Sequence, residues 1–307
     1  MGYGDDIMAT AYAEAVHDQF PEAKAVFGDP KTYHDPGANS LKVHFTEVFL
    51  NNPYIVQQDE PVKNLICLPD YPGCRMYIDY EGCETNPDSP QEITRFKWKS
   101  GFKAPRGALY FTNDEKSAAT EIALRLPKDF IVIEPYAADK PWAVNKDWHF
   151  DRWAQVVKAL PEVGFVQLSE ASERMDLPGV IAVNTPSFRQ AAAILSTAGA
   201  FVGAEGGMHH AAAALSIPAI VLWSHYTSPA VLGYDDQVNI RHADGDGCGT
   251  IDKPCEECGV AMDKITVEEV VGSIKELINE GRHKTCRQGP DRPVFRMVEP
   301  SAEGGQK

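Results

Sequence analysis

Residues Phe201–Tyr234 read FVGAEGGMHHAAAALSIPAIVLWSHYTSPAVLGY, and this stretch decides the fold. Ala200–Gly203 is a short apolar strand that runs into Glu205-Gly206-Gly207. Met208–Ser216 follows as an alanine-rich helix, and Ala219–Trp223 (AIVLW) as a second strand. Strand, helix and strand joined by tight turns make a βαβ unit, which sets its two strands parallel. The alternation extends outward. Phe130–Ile133 is a strand ended by Pro135, and Gly164–Leu168 is the next. Between them Trp153, Val156, Val157 and Leu160 recur at the spacing of one helix face within Phe150–Leu160. Ser187 caps a helix through Ala198 with Phe188, Ile194 and Leu195 inward. Thr266 and Glu269 form a capping box for a helix whose apolar face is Val267, Val270, Val271, Ile274, Leu277 and Ile278. The fold class is α/β, with a parallel sheet covered on both faces. Such sheets bind ligands beyond the carboxyl ends of their strands, where strand order reverses.

The N-terminal half is less regular. Ile7–Val16, His44–Leu50 and Glu115–Leu126 read as helices, Ala23–Phe27 and Asn64–Leu68 as strands. Pro69–Pro105 is an irregular stretch rich in Gly, Pro, Asp and aromatics, with a candidate strand at Arg75–Tyr80. The expected division is residues 1–127, 128–288 and a tail, 289–307.

Length and charge narrow the classes. A chain of 307 residues suits about two domains. With 43% hydrophobic and 24% charged residues it is globular rather than disordered. Its net charge of −15 makes it a poor general binder of nucleic-acid backbone. The exception is Arg75–Arg106, where Arg75, Arg95, Lys97, Lys99, Lys103 and Arg106 interleave with Phe96, Trp98 and Phe102. That segment is either an ordinary solvated loop or a surface for an anionic acceptor. No apolar run reaches the length of a membrane span, and no signal peptide is visible, so the expected location is cytoplasmic. Seven cysteines, an odd count, argue against a secreted disulfide scaffold.

Three stretches carry candidate chemistry. Glu205, Gly206, Gly207 and Met208 lie at a strand–helix junction, where backbone amides and the helix dipole favour an anion. His210 in the first turn, and Thr227 and Ser228 after the next strand, can add donors there. Lys146, after the strand ending at Glu134, can neutralise a diphosphate. Gly2-Tyr3-Gly4-Asp5-Asp6 precedes a helix, and a carboxylate there serves as general base or caps the helix. Asp244-Gly245-Asp246 reads as a turn, because Cys248 and Cys255 occupy positions where a calcium loop needs oxygens. Cys248, Cys255, Cys258 and Cys286 remain a zinc candidate beside a disulfide or free thiols; the default is no metal.

Taken together these stretches resemble glycosyltransferase family 9, the heptosyltransferase-like enzymes of the GT-B fold. The matches are Gly2-Tyr3-Gly4-Asp5, Pro135 to Lys146-Asp147-Trp148, Gly207 to His210, Ala211–Leu215 with Pro218, and Thr227 with Pro229. Three positions depart from the family pattern: Glu205 for Asp, Gly206 for Ser or Thr, and His225 for Gly. The family's hydrophobic strand before G-x-G-D is reduced to Met1, so a first strand is expected to be missing. The resemblance implies two Rossmann-like domains facing a cleft, acceptor-side and donor-side. It implies inverting, metal-independent transfer from a nucleotide-diphosphate sugar, with no other cofactor. Asp5 would be the base; Lys146, Glu205, Gly206, Gly207, Met208, His210, Thr227 and Ser228 would hold the donor. Glu170 or Glu173 would contact the ribose. The acceptor would be a bacterial surface glycan such as lipopolysaccharide, or modified bases in DNA. The alternatives are a non-catalytic nucleotide-sugar-binding relative and an epimerase of the same fold.

Overall fold

A computed structural model describes residues 2–28, 44–57, 60, 64–69, 85–86, 89–93, 98–99, 101–135, 141–169, 176–250 and 253–281. The chain begins with helix α1 (Tyr3–Gln19), then strands β1 (Lys24–Gly28) and β2 (Leu65–Pro69), which pair in parallel. Two short strands, β3 (Thr85–Asn86) and β4 (Ser89–Ile93), form an antiparallel ribbon, and helix α2 (Asn113–Ala123) follows. The expected strand at Arg75–Tyr80 and the tail after residue 289 lie outside the described residues.

Six further strands are β5 (Ile131–Glu134), β6 (Phe165–Ser169), β7 (Ile181–Asn184), β8 (Ala200–Ala204), β9 (Ala219–Trp223) and β10 (Val238–Arg241). They form one all-parallel sheet in the order β10-β9-β8-β5-β6-β7. Its helices are α3 (Phe150–Ala159), α4 (Phe188–Leu195), α5 (Gly207–Ala214), α6 (Pro229–Leu232), α7 (Glu256–Lys264) and α8 (Val267–Asn279). One core contains Phe201 and Trp223 of the sheet, Ala192 of α4, and Ile7 and Phe49 from the N-terminal part. The second contains Trp148, Trp153 and Leu160 with Ile274 and Leu277 of α8. Two covered faces explain why β5, β8 and β9 are apolar runs without alternation. Among the described residues no helix is long and apolar enough to cross a membrane.

Capping sets several boundaries. Ser187 Oγ accepts the Gln190 amide at the start of α4, as the sequence indicates. Thr112 and Glu115 make a reciprocal capping box, so α2 starts two residues before the predicted Glu115. At α8 only half the predicted box forms: Thr266 accepts the Glu269 amide, but the Glu269 carboxylate turns to His242 Nε2 at 2.9 Å. The predicted helix His44–Leu50 is a single 3-10 turn, Glu47–Phe49. Its carbonyls are drawn elsewhere, because Arg189 of α4 donates from one nitrogen to Glu47 O (3.1 Å) and Leu50 O (3.3 Å).

Arg189 ties the N-terminal elements to the sheet. The residue is 5% exposed and also bonds both Glu115 carboxylate oxygens and the Tyr110 carbonyl. Its guanidinium lies 5.0 Å from the Phe111 ring centroid. Burial alone would raise the Glu115 pKa; the Arg189 guanidinium and the Thr112 amide outweigh it and hold the carboxyl below its ordinary range. Removing one partner of a buried ion pair strands the other, so Arg189→Met should cost about 3 kcal/mol in urea unfolding at neutral pH. A depressed carboxylate stabilises the fold above its unfolded pKa of about 4.3, and that contribution is lost as pH falls through the lower folded value. The variant should therefore lose less stability than the parent between about pH 5 and 3. Equal urea midpoints, or parallel acid limbs, would show that Arg189 is not the tie.

Candidate active site

The sheet grows from β5 through β6 to β7 on one side and from β8 through β9 to β10 on the other. The reversal between β5 and β8 opens a crevice at their carboxyl ends. Three connections leave the sheet there. The first runs from β5 to a 3-10 turn, Pro141–Lys146, that delivers Lys146. The second is Glu205-Gly206, leading into α5. The third runs from β9 through Thr227 and Ser228 to α6.

Lys146 joins all three. Its ammonium pairs with the Glu205 carboxylate, and the two side chains are 15% and 7% exposed. The same nitrogen lies 4.7 Å from the centroid of Tyr226, a cation–π contact. Trp98 packs edge-on against Tyr226 at 5.7 Å between centroids. Beside Tyr226, Thr227 Oγ1 and Ser228 Oγ are buried and make no hydrogen bond among the described residues. An unpaired buried hydroxyl costs roughly 1–3 kcal/mol, which a ligand oxygen accepting from it would recover.

The start of α5 is built around two histidines. His209 Nδ1 accepts the Gly206 amide at 3.0 Å, and its Nε2 donates to Leu232 O at 3.2 Å, which fixes a neutral tautomer. Gly206 is thus spent, and the amides of Gly207 and Met208 are left without intrahelical acceptors. His210 Nδ1 donates to the Tyr234 hydroxyl at 2.8 Å, and that hydroxyl donates to Pro105 O at 3.3 Å. Burial is the main cause holding both histidines below their ordinary pKa, and it pushes the Tyr234 hydroxyl up.

The beginning of the chain docks on this helix start. A Cβ on Gly4 would overlap the His210 ring, and one on Gly207 would meet Phe188, Tyr3 and the Gly4 backbone. Tyr3 stacks on Phe188 with centroids 4.2 Å apart and planes at 14°. His210 therefore forms the seat for Gly4. Asp5 follows in the first turn of α1, where its Oδ2 accepts the Gly2 amide at 3.0 Å. Asp6 is buried and held by His44 Nε2 and Thr46 Oγ1, each at 2.9 Å. Asp5 thus sits at the helix start, where its carboxylate caps α1, while Asp6 is buried against His44 and Thr46.

Other sequence candidates separate from this group. Glu170, Glu173 and Cys286 lie outside the described residues. Lys103 pairs with Asp235 at 3.0 Å and Arg106 with Asp236 at 2.5 Å, so these two cations of the basic segment are engaged within the chain. Asp244–Asp246 is a turn, with Gly245 at φ 71° and Arg241 donating to the carbonyls of Ala243 and Gly245. Ligand atoms of Glu205, His209 and His210 lie within 4.8 Å of one another. Both His209 nitrogens, His210 Nδ1 and the Glu205 carboxylate are already engaged, so this trio is not a metal cradle. Cys248, Cys255 and Cys258 also converge. Sequence reasoning missed Tyr226, Tyr234 and Asn145, although each lies within a few residues of a motif position.

Two measurements test this geometry. Gly4→Ala should destabilise by about 1–3 kcal/mol through overpacking on His210, whereas Gly206→Ala, with open space around its Cβ, should cost less. Histidines buried neutral bind fewer protons than in the unfolded chain. Stability should therefore be complete above about pH 6.5 and fall below it by up to 1.4 kcal/mol per pH unit for each histidine. A His210→Gln variant should show a shallower fall, and an identical slope would refute the assignment.

The family model described as glycosyltransferase family 9 (heptosyltransferase) matches residues 93–257, more than half of the chain. No curated protein matches. A glycosyl transferase family 9 structure from Veillonella parvula is similar in fold: TM-score 0.55, 13% identity, covering 91% of this chain and 95% of that one. E. coli ADP-heptose lps heptosyltransferase II aligns with TM-score 0.44 and 20% identity over 64% of this chain and 57% of that one. E. coli heptosyltransferase WaaC, solved with ADP-2-deoxy-2-fluoro heptose, aligns with TM-score 0.37 and 17% identity over 58% and 51%. The chain thus spans little more than half the length of those two enzymes. With the family match covering most of the parallel sheet and the crevice at its strand-order reversal, the chain belongs to glycosyltransferase family 9.

Proposed function

We propose that this chain transfers a sugar from a nucleoside-diphosphate sugar to a glycan hydroxyl, with inversion and without a metal. The observation that carries the reading is Lys146, poised between Glu205 and Tyr226 beside the unpaired Thr227 and Ser228 hydroxyls. A lysine, two hydroxyls and the amides opening α5 form a donor set suited to a diphosphate. As the glycosidic bond breaks, negative charge grows on the departing phosphate, and preorganised donors there lower the barrier. Lys146 supplies the cationic field otherwise expected of a metal ion.

Asp5 takes the acceptor proton as the hydroxyl attacks the anomeric carbon from the face opposite the leaving group. The N-terminal part, residues 1–127, presents the acceptor. A glycan is favoured over DNA because Lys103 and Arg106 are already paired with Asp235 and Asp236. One observation favours a second reading, donor binding without transfer: Asp5 spends one oxygen on the Gly2 amide.

A calorimetric screen against ADP, UDP, GDP, CDP and dTDP, with and without added Mg²⁺, tests the donor site. One nucleotide should stand out and be indifferent to Mg²⁺. Lys146→Ala should weaken it by about 2 kcal/mol, roughly 30-fold. A Lys146→Met/Glu205→Met pair should keep stability without regaining affinity, because no charge is left stranded. Asp5→Asn should lower turnover by about 10²–10⁴ while leaving nucleotide affinity intact. Unchanged turnover would remove Asp5 from the reaction, and the absence of any turnover in the parent chain would favour the second reading.

A further inference from the structure

The segment from the end of β10 into the first turn of α7 brings three cysteines together. The sulfurs of Cys248, Cys255 and Cys258 all lie within 4.8 Å of one another. Cys248 and Cys258 are buried, with sulfurs 3.4 Å apart. Around tetrahedral zinc, bonds of about 2.3 Å place thiolate sulfurs roughly 3.8 Å apart. A disulfide needs about 2.05 Å, so the observed spacing is close to that of metal ligands.

The surroundings favour thiolates. Cys255 is the N-cap of α7 and Cys258 lies in its first turn, where the helix dipole stabilises negative charge. The Thr250 amide points at Cys248 Sγ from 3.5 Å.

The loop is fastened to both arms of the crevice. Asn145, next to Lys146, donates to Thr250 O (2.9 Å) and Lys253 O (3.1 Å) and accepts the Cys255 amide (2.7 Å). The Cys248 amide donates to His225 O (2.7 Å) and the Gly249 amide to Tyr226 O (3.1 Å). Gly247, at φ 117°, lies so close to the Tyr226–Thr227 backbone that a Cβ would overlap it.

We propose that Cys248, Cys255 and Cys258 bind a zinc ion. Through Asn145, His225 and Tyr226 that ion braces the two loops carrying Lys146 and Thr227. Soft thiolates select zinc among the abundant divalent ions. The metal site stands independently of the transferase reading; only the bracing rests on it.

The test uses the full chain, purified with a reductant, stripped with EDTA and reloaded with Zn²⁺. Elemental analysis after gel filtration should find about one zinc per chain, and Co²⁺ loading should give a thiolate-to-cobalt charge-transfer band. Cys258→Ser should weaken zinc binding about 100-fold in competition with a chromophoric chelator. The cobalt spectrum is read on the unaltered chain, so misfolding of a variant does not blunt the test. Zinc loading should be unchanged in Lys146→Ala, while stripping zinc should weaken nucleoside-diphosphate binding in the parent. A folded, reduced chain that retains no zinc overturns the site. So does iron retained in its place, or a Cys258→Ser variant of equal affinity. Zinc bound without effect on the nucleotide overturns only the bracing.

Discussion

Right-handed crossovers fix where this molecule can hold a ligand. A parallel strand feeding a helix returns to the sheet with one handedness, so a sheet that grows first one way and then the other must leave its two central strands with diverging connections. Here those strands are β5 and β8. The Lys146 arm, the Glu205–Gly207 junction and the docking of α1 on α5 all follow from that divergence. Helices on both faces then enforce the apolar cores, and the polar groups of the crevice sit at the carboxyl ends of the strands.

The crevice is an electrostatic balance. A buried lysine is costly without a counterion, and Glu205 supplies one while the Tyr226 ring supplies a second, softer partner. Glutamate in place of the family's aspartate reaches one methylene further, which suits a carboxylate that must meet the ammonium across the junction. A diphosphate entering beside Thr227 would compete with Glu205 for the same cation. The site therefore has its positive charge assembled beforehand, and a ligand has only to redirect it.

Much of this was legible in the residues, and the exceptions have physical reasons. β5, β8 and β9 are apolar because they are buried on both faces, and the sequence shows them as nearly uninterrupted runs. β7, at the sheet edge, is mostly exposed and leaves no such signature. The turn at Glu47–Phe49 has helical composition, but its carbonyls answer to Arg189, a partner some 140 positions away. Lys146, Glu205 and Thr227 were readable from motif order, since each follows a strand end. Tyr226 was not, because a ring beneath a lysine is a contact between loops and has no spacing rule. Asp5 and Asp6 are chemically identical neighbours, and the helical rotation that turns one inward becomes visible only once α1 is placed.

Arg189 also bears on how the molecule can breathe. Its guanidinium binds Glu115 and the carbonyls of Tyr110, Glu47 and Leu50, two separate stretches of the N-terminal shell, from a single helix of the sheet. Prising that shell away from α4 would leave a buried guanidinium without acceptors until water reached it, a step costing several kcal/mol. That cost holds the shell around Glu47, Tyr110 and Glu115 against α4, so any hinge within the chain would lie in segments that do not touch Arg189.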